Sequence, residues 1–204
     1  MWRSVRPEDR NALGLLIAFV AVWIVLAIAP VDRTVWALEH VVTVVAVGLL
    51  VLTRSRVRFS DRALALLAVF LVLHAVGAHY TYARVPVGEW LGGSLSDLAR
   101  NPYDRCVHFA YGLLITPVVI ELLAARSPPR GAWRWLLPVV FVASTAAIYE
   151  VLEALSLELV SAPAAARFLA TQGDAWDTQW DLALAMLASM LTVALMRGRP
   201  FAVR

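Results

Sequence analysis

Lysine is absent and cysteine nearly so: all 18 basic residues are arginine, and Cys106 is the single thiol. One cysteine excludes an internal disulfide and a multi-cysteine metal site, and Cys106 reads as an inert small apolar residue. Charge is scarce, at 16% of 204 residues, and the net +3 asks for no nucleic-acid partner. No Gly-x-Ser-x-Gly motif occurs, which argues against an acyl-enzyme route. No low-complexity tract and no convincing internal repeat is present, and no nucleotide-cofactor motif is evident. What fills the chain is apolar: 61% of residues are hydrophobic, against about half in an ordinary soluble domain. The class is a polytopic membrane protein.

Six apolar segments approach the roughly 20 residues that a membrane span needs: 11–29, 35–53, 62–80, 103–123, 135–155 and 178–196. The expectation is a single all-α transmembrane domain over 1–204, a six-helix bundle. The start imitates a signal peptide, with Arg3, Arg6 and Arg10 before an apolar run that ends in Ala27-Ile28-Ala29. Pro30 disfavours cleavage there, so the run reads as a retained first helix. Arginine placement sets the orientation. Thirteen of the 18 fall before the first span, between the second and third, between the fourth and fifth, and after the sixth. By the positive-inside rule both termini are cytoplasmic. Trp36, Trp90, Trp176 and Trp180 then mark the outer interface, and Trp133 and Trp135 the inner one. Two outer connections are long, 83–102 and 156–172; the first allows a short helix around 96–100, and Ser161 with Pro163 starts one in the second.

The polar residues are concentrated. Thr171-Gln172-Gly173-Asp174-Ala175-Trp176-Asp177-Thr178-Gln179-Trp180-Asp181 runs straight into the last apolar segment. On a helix, with Asp174 at zero, Asp177 falls near −60°, Asp181 near −20° and Thr178 near +40°, all rough values at 100° per residue. The acids share a face opposite Trp176 and Trp180. Asp104 and His108 are i,i+4 with Tyr111 on the same stripe, and Glu150 and Glu153 are i,i+3 beside Tyr149. These groups converge on the outer half of the bundle, while Glu121 sits near the inner edge. A charge facing hydrocarbon costs roughly 2.5–3.5 kcal/mol, so these faces should point into the protein.

Six carboxylates at one level need a divalent ion, bound protons or arginines such as Arg105 and Arg167. His108, Glu150, Asp174, Asp177 and Asp181 are the expected metal ligands, for Mg²⁺, Mn²⁺, Ca²⁺ or Zn²⁺, with Fe²⁺ also allowed. Asp104 and Glu153 are the expected base or supporting groups. His79, Arg105, Tyr111, Tyr149, Gln172 and Gln179 are expected around them. Plainer roles exist for single residues. Asp174 and Asp177 suit a helix N-terminus, Glu39 and His40 can reach the interface, His74 can be a satisfied interior histidine, His79 and Tyr80 can be interfacial, and Arg105 can pair with Asp104.

Three motifs carry a resemblance. Phe168 to Asp181, Tyr103-Asp104-Arg105-Cys106-Val107-His108-Phe109 and Tyr149-Glu150-Val151-Leu152-Glu153 resemble those of the YjdF-type inner-membrane proteins of bacteria. Ala170, Ala154 and Leu182 depart from the expected pattern without removing a polar group. The resemblance implies a six-helix bacterial inner-membrane protein and no particular reaction. A looser likeness joins the chain to VanZ-like membrane proteins, through the Asp104/His108 pair, a later Glu and the Asp-rich final motif; it implies cell-envelope substrates. Three functions fit: a metal-dependent hydrolase or transferase acting on a lipid or envelope substrate, a proton- or cation-coupled transporter, and a structural or regulatory module. Membrane lipids are the expected partners, and a homo-oligomer is allowed.

Overall fold

The computed structural model describes residues 7–93, 98, 100–156, 158 and 162–197. Arg3, Arg6, Ser161, Arg199, Arg204 and most of the 96–100 stretch lie outside them, as does the Arg167 side chain. Every regular element among the described residues is a helix: α1 Pro7–Leu26, α2 Arg33–Thr53, α3 Asp61–Tyr80, the single turn α4 Val87–Trp90, α5 Tyr103–Arg126, α6 Trp133–Ser156, α7 Ala162–Leu169 and α8 Asp177–Met196. Five of these, α2, α3, α5, α6 and α8, are long and apolar enough to cross a membrane. The apolar part of α1, Arg10–Leu26, is shorter than those five. It stops three residues before the anticipated end because the chain turns there, with Ala29 at φ 49° next to Pro30. Outward-facing side chains such as Val41, Leu52, Ile148 and Leu195 are exposed, which in water would be costly and in lipid is the expected state.

Helix starts follow local chemistry. The Asp32 carboxylate accepts from the Thr34 and Val35 amides at 2.9 and 3.1 Å, capping α2. Ser60 caps α3 through the Ala63 amide at 3.1 Å. Glu121 on α5 accepts from both the amide and the hydroxyl of Ser60, at 2.8 and 2.6 Å, so this isolated acid pins α3 to α5.

The pair α5 and α8 lies at the centre, with α3 and α6 against α5, α6 also against α8, and α1 on the far side of α3. Small residues let the central pair approach. A Cβ on Gly112 would stand 2.1 Å from the Ala185 carbonyl oxygen and 2.8 Å from the Ala188 Cβ. One turn on, the Thr116 hydroxyl meets the Ser189 hydroxyl at 2.7 Å. In lipid there is no hydrophobic force between helices, so close backbone packing and such hydrogen bonds carry association. Pro117 deprives the Leu113 carbonyl of its helical donor, and the Thr192 hydroxyl of α8 approaches that oxygen at 3.4 Å. Ile115, Val119, Val142, Ala146 and Ala185 fill the space between α5, α6 and α8.

Candidate functional site

The α5–α8 crossing at Gly112 places the N-terminal turns of both helices side by side. Asp104 and His108 project from α5, Asp181 from α8 and Glu150 from the last turns of α6. One ligand atom each from Asp104, His108 and Asp181 lies within 4.8 Å of the others. His108 Nε2 stands 3.7 Å from Asp104 Oδ1 and 3.6 Å from Glu150 Oε1. Both separations are too long for hydrogen bonds. Asp181 is 3% exposed, and its Oδ1 is buried with no hydrogen-bond partner. Glu150 accepts from the Thr178 hydroxyl at 2.9 Å, which places Thr178 on the acid face as its helical angle requires. Two donor atoms about 2.1 Å from one ion lie about 3–3.5 Å apart, so closure by about 1 Å would let the three groups hold one ion.

Arginines take the remaining aspartates. Arg100 forms an ion pair with Asp177, stands 3.7 Å from Asp104 and donates to the Thr171 carbonyl at 2.7 Å. Arg105 turns away from its neighbour Asp104 and binds Asp174 at 2.5 Å, and its guanidinium carbon lies 6.0 Å from the centre of the Trp180 ring. The shared helical face expected for the three aspartates holds for Asp177 and Asp181 only. Asp174 lies in the turn before α8, because Trp176, at φ −107° and ψ 16°, is the non-helical cap and the helix starts only at Asp177. There its carboxylate accepts the Trp176 amide at 2.9 Å. That amide, with Arg105 beside it, holds the Asp174 carboxyl below the usual carboxylate range.

A second polar cluster lies between α2, α3 and α6. Glu39 and His40 do not reach the interface: they are 1% and 3% exposed. The Tyr149 hydroxyl of α6 donates to Glu39 of α2, and Glu153 lies close to both. His74 is the satisfied interior histidine. Its Nε2 faces the Glu39 carbonyl at 3.1 Å and its Nδ1 the Tyr82 hydroxyl at 2.6 Å. A carbonyl only accepts, so Nε2 carries the proton and Tyr82 donates to Nδ1. Burial pushes the Tyr82 phenol well above its ordinary value, which keeps it a donor.

The other expected residues are scattered. The Tyr111 hydroxyl pairs with Thr145 at 2.6 Å, deeper along α5. His79 binds the Leu26 carbonyl at 2.8 Å, away from the carboxylates. Gln172 clasps Asn101 through the Asn101 amide at 2.8 Å and carbonyl at 3.2 Å, tying the two long connections together. Gln179 is exposed on α8. Sequence reasoning passed over Arg100, although its i,i+4 spacing to Asp104 was a signal. Nothing in the sequence pairs Glu39 with Tyr149, 110 positions away.

This arrangement is placed among known proteins by comparison. A family model described as a predicted membrane protein, DUF2238, matches residues 11–199. The chain belongs to the DUF2238 family. Its similarity to inner membrane protein YjdF of Escherichia coli (strain K12) is 34% identity over 198 residues, covering 95% of this chain and 91% of the relative. No solved structure matches the chain. As a DUF2238 member the chain is an integral membrane protein, similar to an inner membrane protein over nearly its whole length. The signature stretches that prompted the resemblance are the segments that carry Asp104, His108, Glu150 and Asp181.

Proposed function

We propose that Asp104, His108 and Asp181 bind one divalent metal ion, and that the protein uses it to hydrolyse or transfer a group on a lipid or cell-envelope substrate. The observation that carries this reading is the buried, unpartnered Asp181 Oδ1, set within 4.8 Å of ligand atoms from Asp104 and His108. A carboxylate taken out of water without a partner is strongly disfavoured, and a cation is the usual remedy. Two carboxylates and one imidazole suit Mn²⁺ or Zn²⁺ over Ca²⁺, which prefers all-oxygen sites. The ion would polarise a phosphoryl or carbonyl oxygen or activate water, with Glu150, held by Thr178, as the base. In this reading the fold spans the membrane six times, α1 included, with both termini cytoplasmic and the site on the outer face, as arginine placement supports. Site residues at the membrane surface favour a substrate that resides there, and the VanZ likeness points to the same class.

Metal analysis of purified protein tests the proposal. Wild type should carry about one Mn²⁺ or Zn²⁺ per chain, and Asp181→Asn should lose it while folding normally; wild type without stoichiometric metal after loading overturns it. A second reading is favoured by one observation, the fully buried Glu39 hydrogen-bonded to Tyr149. Intramembrane acids of this kind mark proton or cation relays in transporters. Proton or cation flux in liposomes that Glu39→Gln abolishes would select it.

A further inference from the structure

A cavity of about 310 Å³ begins directly beneath the carboxylates. Its wall at the carboxylate end is made by His74, Tyr82, His108 and Tyr149, and its deeper wall by Ala46, Leu67, Ile115 and Ala146. From His108 to Ile115 is seven residues of α5, about 10 Å along the helix. The cavity therefore runs from the level of the acids toward the middle of the bundle, inside the apolar stretch of α5.

The polar atoms at this wall are already used by the protein. His74 Nδ1 and the Tyr82 hydroxyl pair with each other, His74 Nε2 and the Tyr149 hydroxyl pair with Glu39 outside the lining, and Tyr111 turns its hydroxyl to Thr145. What those residues present to the space is ring carbon. His108 differs: it borders the cavity and also stands beside Asp104 and Glu150 without hydrogen-bonding them. One end of the cavity is thus tied to the carboxylate site, and the rest is hydrocarbon-like. Its size decides how much fits. A cavity of about 150 Å³ takes one benzene ring, so this one accommodates roughly a dozen carbon atoms: one chain, and not the paired chains of a whole phospholipid.

Access is lateral. The cavity is bounded by α2 on one side and α6 on the other. Yet α2 packs on α3 and α7, and α6 on α5, α7 and α8. Across the space between them, near the carboxylate level, runs the Tyr149–Glu39 hydrogen bond. On this basis, and resting on the metal-site reading above, we propose that the cavity receives a single hydrocarbon chain of a membrane-resident substrate. The chain slides in between α2 and α6 and leaves its polar end at His108 and the carboxylates. The substrate class thereby narrows to an amphiphile with one chain of about a dozen carbons engaged, drawn from the bilayer.

The test uses the full-length protein in nanodiscs and a twelve-carbon fatty acid bearing a terminal diazirine. After illumination, mass spectrometry should place the label on α5 and α6 residues of the deep wall, such as Ile115 and Ala146. Ala46→Phe and Leu67→Phe each fill the deep end from a different helix. Overpacking a fitted chain should cut deep-wall labelling about tenfold with wild-type thermal unfolding and unchanged Mn²⁺ stoichiometry. Label confined to lipid-facing residues such as Val41 and Leu52, or deep-wall label unaffected by both substitutions, overturns the inference. Manganese content is read separately: labelled protein that binds no metal counts against the metal site and supports the chain cavity.

Discussion

Gly112→Ala is the sharpest perturbation of this architecture, because one methyl group strikes the contact that aligns the site. The added Cβ would lie 2.1 Å from the Ala185 carbonyl oxygen, where ordinary contact begins at 3.4 Å. Backbone cannot yield as a flexible side chain does, so α5 and α8 must separate locally by about 1.3 Å. Overpacking of this kind costs about 1–3 kcal/mol. For a chain of this size each kcal/mol is about 2–4 °C of unfolding midpoint. The shift also reaches the acids. Asp181 lies one turn from Ala185, and metal or catalytic sites tolerate about 0.5 Å of misplacement. Thermal unfolding in detergent, alongside Mn²⁺ titration, should show Gly112→Ala losing both stability and metal affinity. Gly48→Ala is the control, since its Cβ would meet nothing within 4 Å; there, loss of unfolded-chain entropy should leave stability equal or higher by up to about 1 kcal/mol. A Gly112→Ala protein with wild-type midpoint and metal affinity would refute the close-packed crossing.

Other outcomes follow from single contacts. Arg100→Ala leaves the buried Asp177 and Asp104 carboxylates without their cation, and breaking a buried pair this way should cost about 3–5 kcal/mol, read as a lowered unfolding midpoint. Ser189→Ala removes the partner of the Thr116 hydroxyl at 2.7 Å; Thr116 also bonds the Gly112 carbonyl at 2.6 Å, so the loss should be small, about 0.6 kcal/mol as for typical interhelical hydrogen bonds in membranes. Asp174 has a folded-state pKa below its unfolded value. Its contribution is therefore present above the ordinary carboxylate pKa of about 4 and lost as pH falls below it. Asp174→Asn should flatten the stability profile in that acidic range and leave neutral-pH metal binding unchanged.

The helices were legible because the constraint that makes them is local. Each apolar run must satisfy its own backbone in lipid, so length and composition mark α2, α3, α5, α6 and α8. The spacing of Asp104 with His108, and of Asp177 with Asp181, survived for the same reason: both pairs lie within one helix. Asp174 escaped that logic, because α8 starts three residues later, at Asp177, with the non-helical Trp176 as its cap, and nothing in the sequence marks that start. Partner choice across helices was less legible still. Arg105 adjoins Asp104 in sequence yet binds Asp174, since consecutive residues on a helix point about 100° apart. Glu39 resembles a residue able to reach the interface until Tyr149 arrives from α6 to meet it. The cavity has no sequence signature, being a gap left by rings whose polar atoms point elsewhere.

The account rests on one ion shared by His108, Asp104 and Asp181. Pulsed electron paramagnetic resonance of the Mn²⁺-loaded protein examines that claim at the atoms concerned. Wild type should show one bound Mn²⁺ with imidazole nitrogen coupling, the coupling should vanish in His108→Gln, and occupancy should fall in Asp181→Asn. Bound Mn²⁺ that lacks nitrogen coupling in the wild type, or that is held equally by all three proteins, would contradict it.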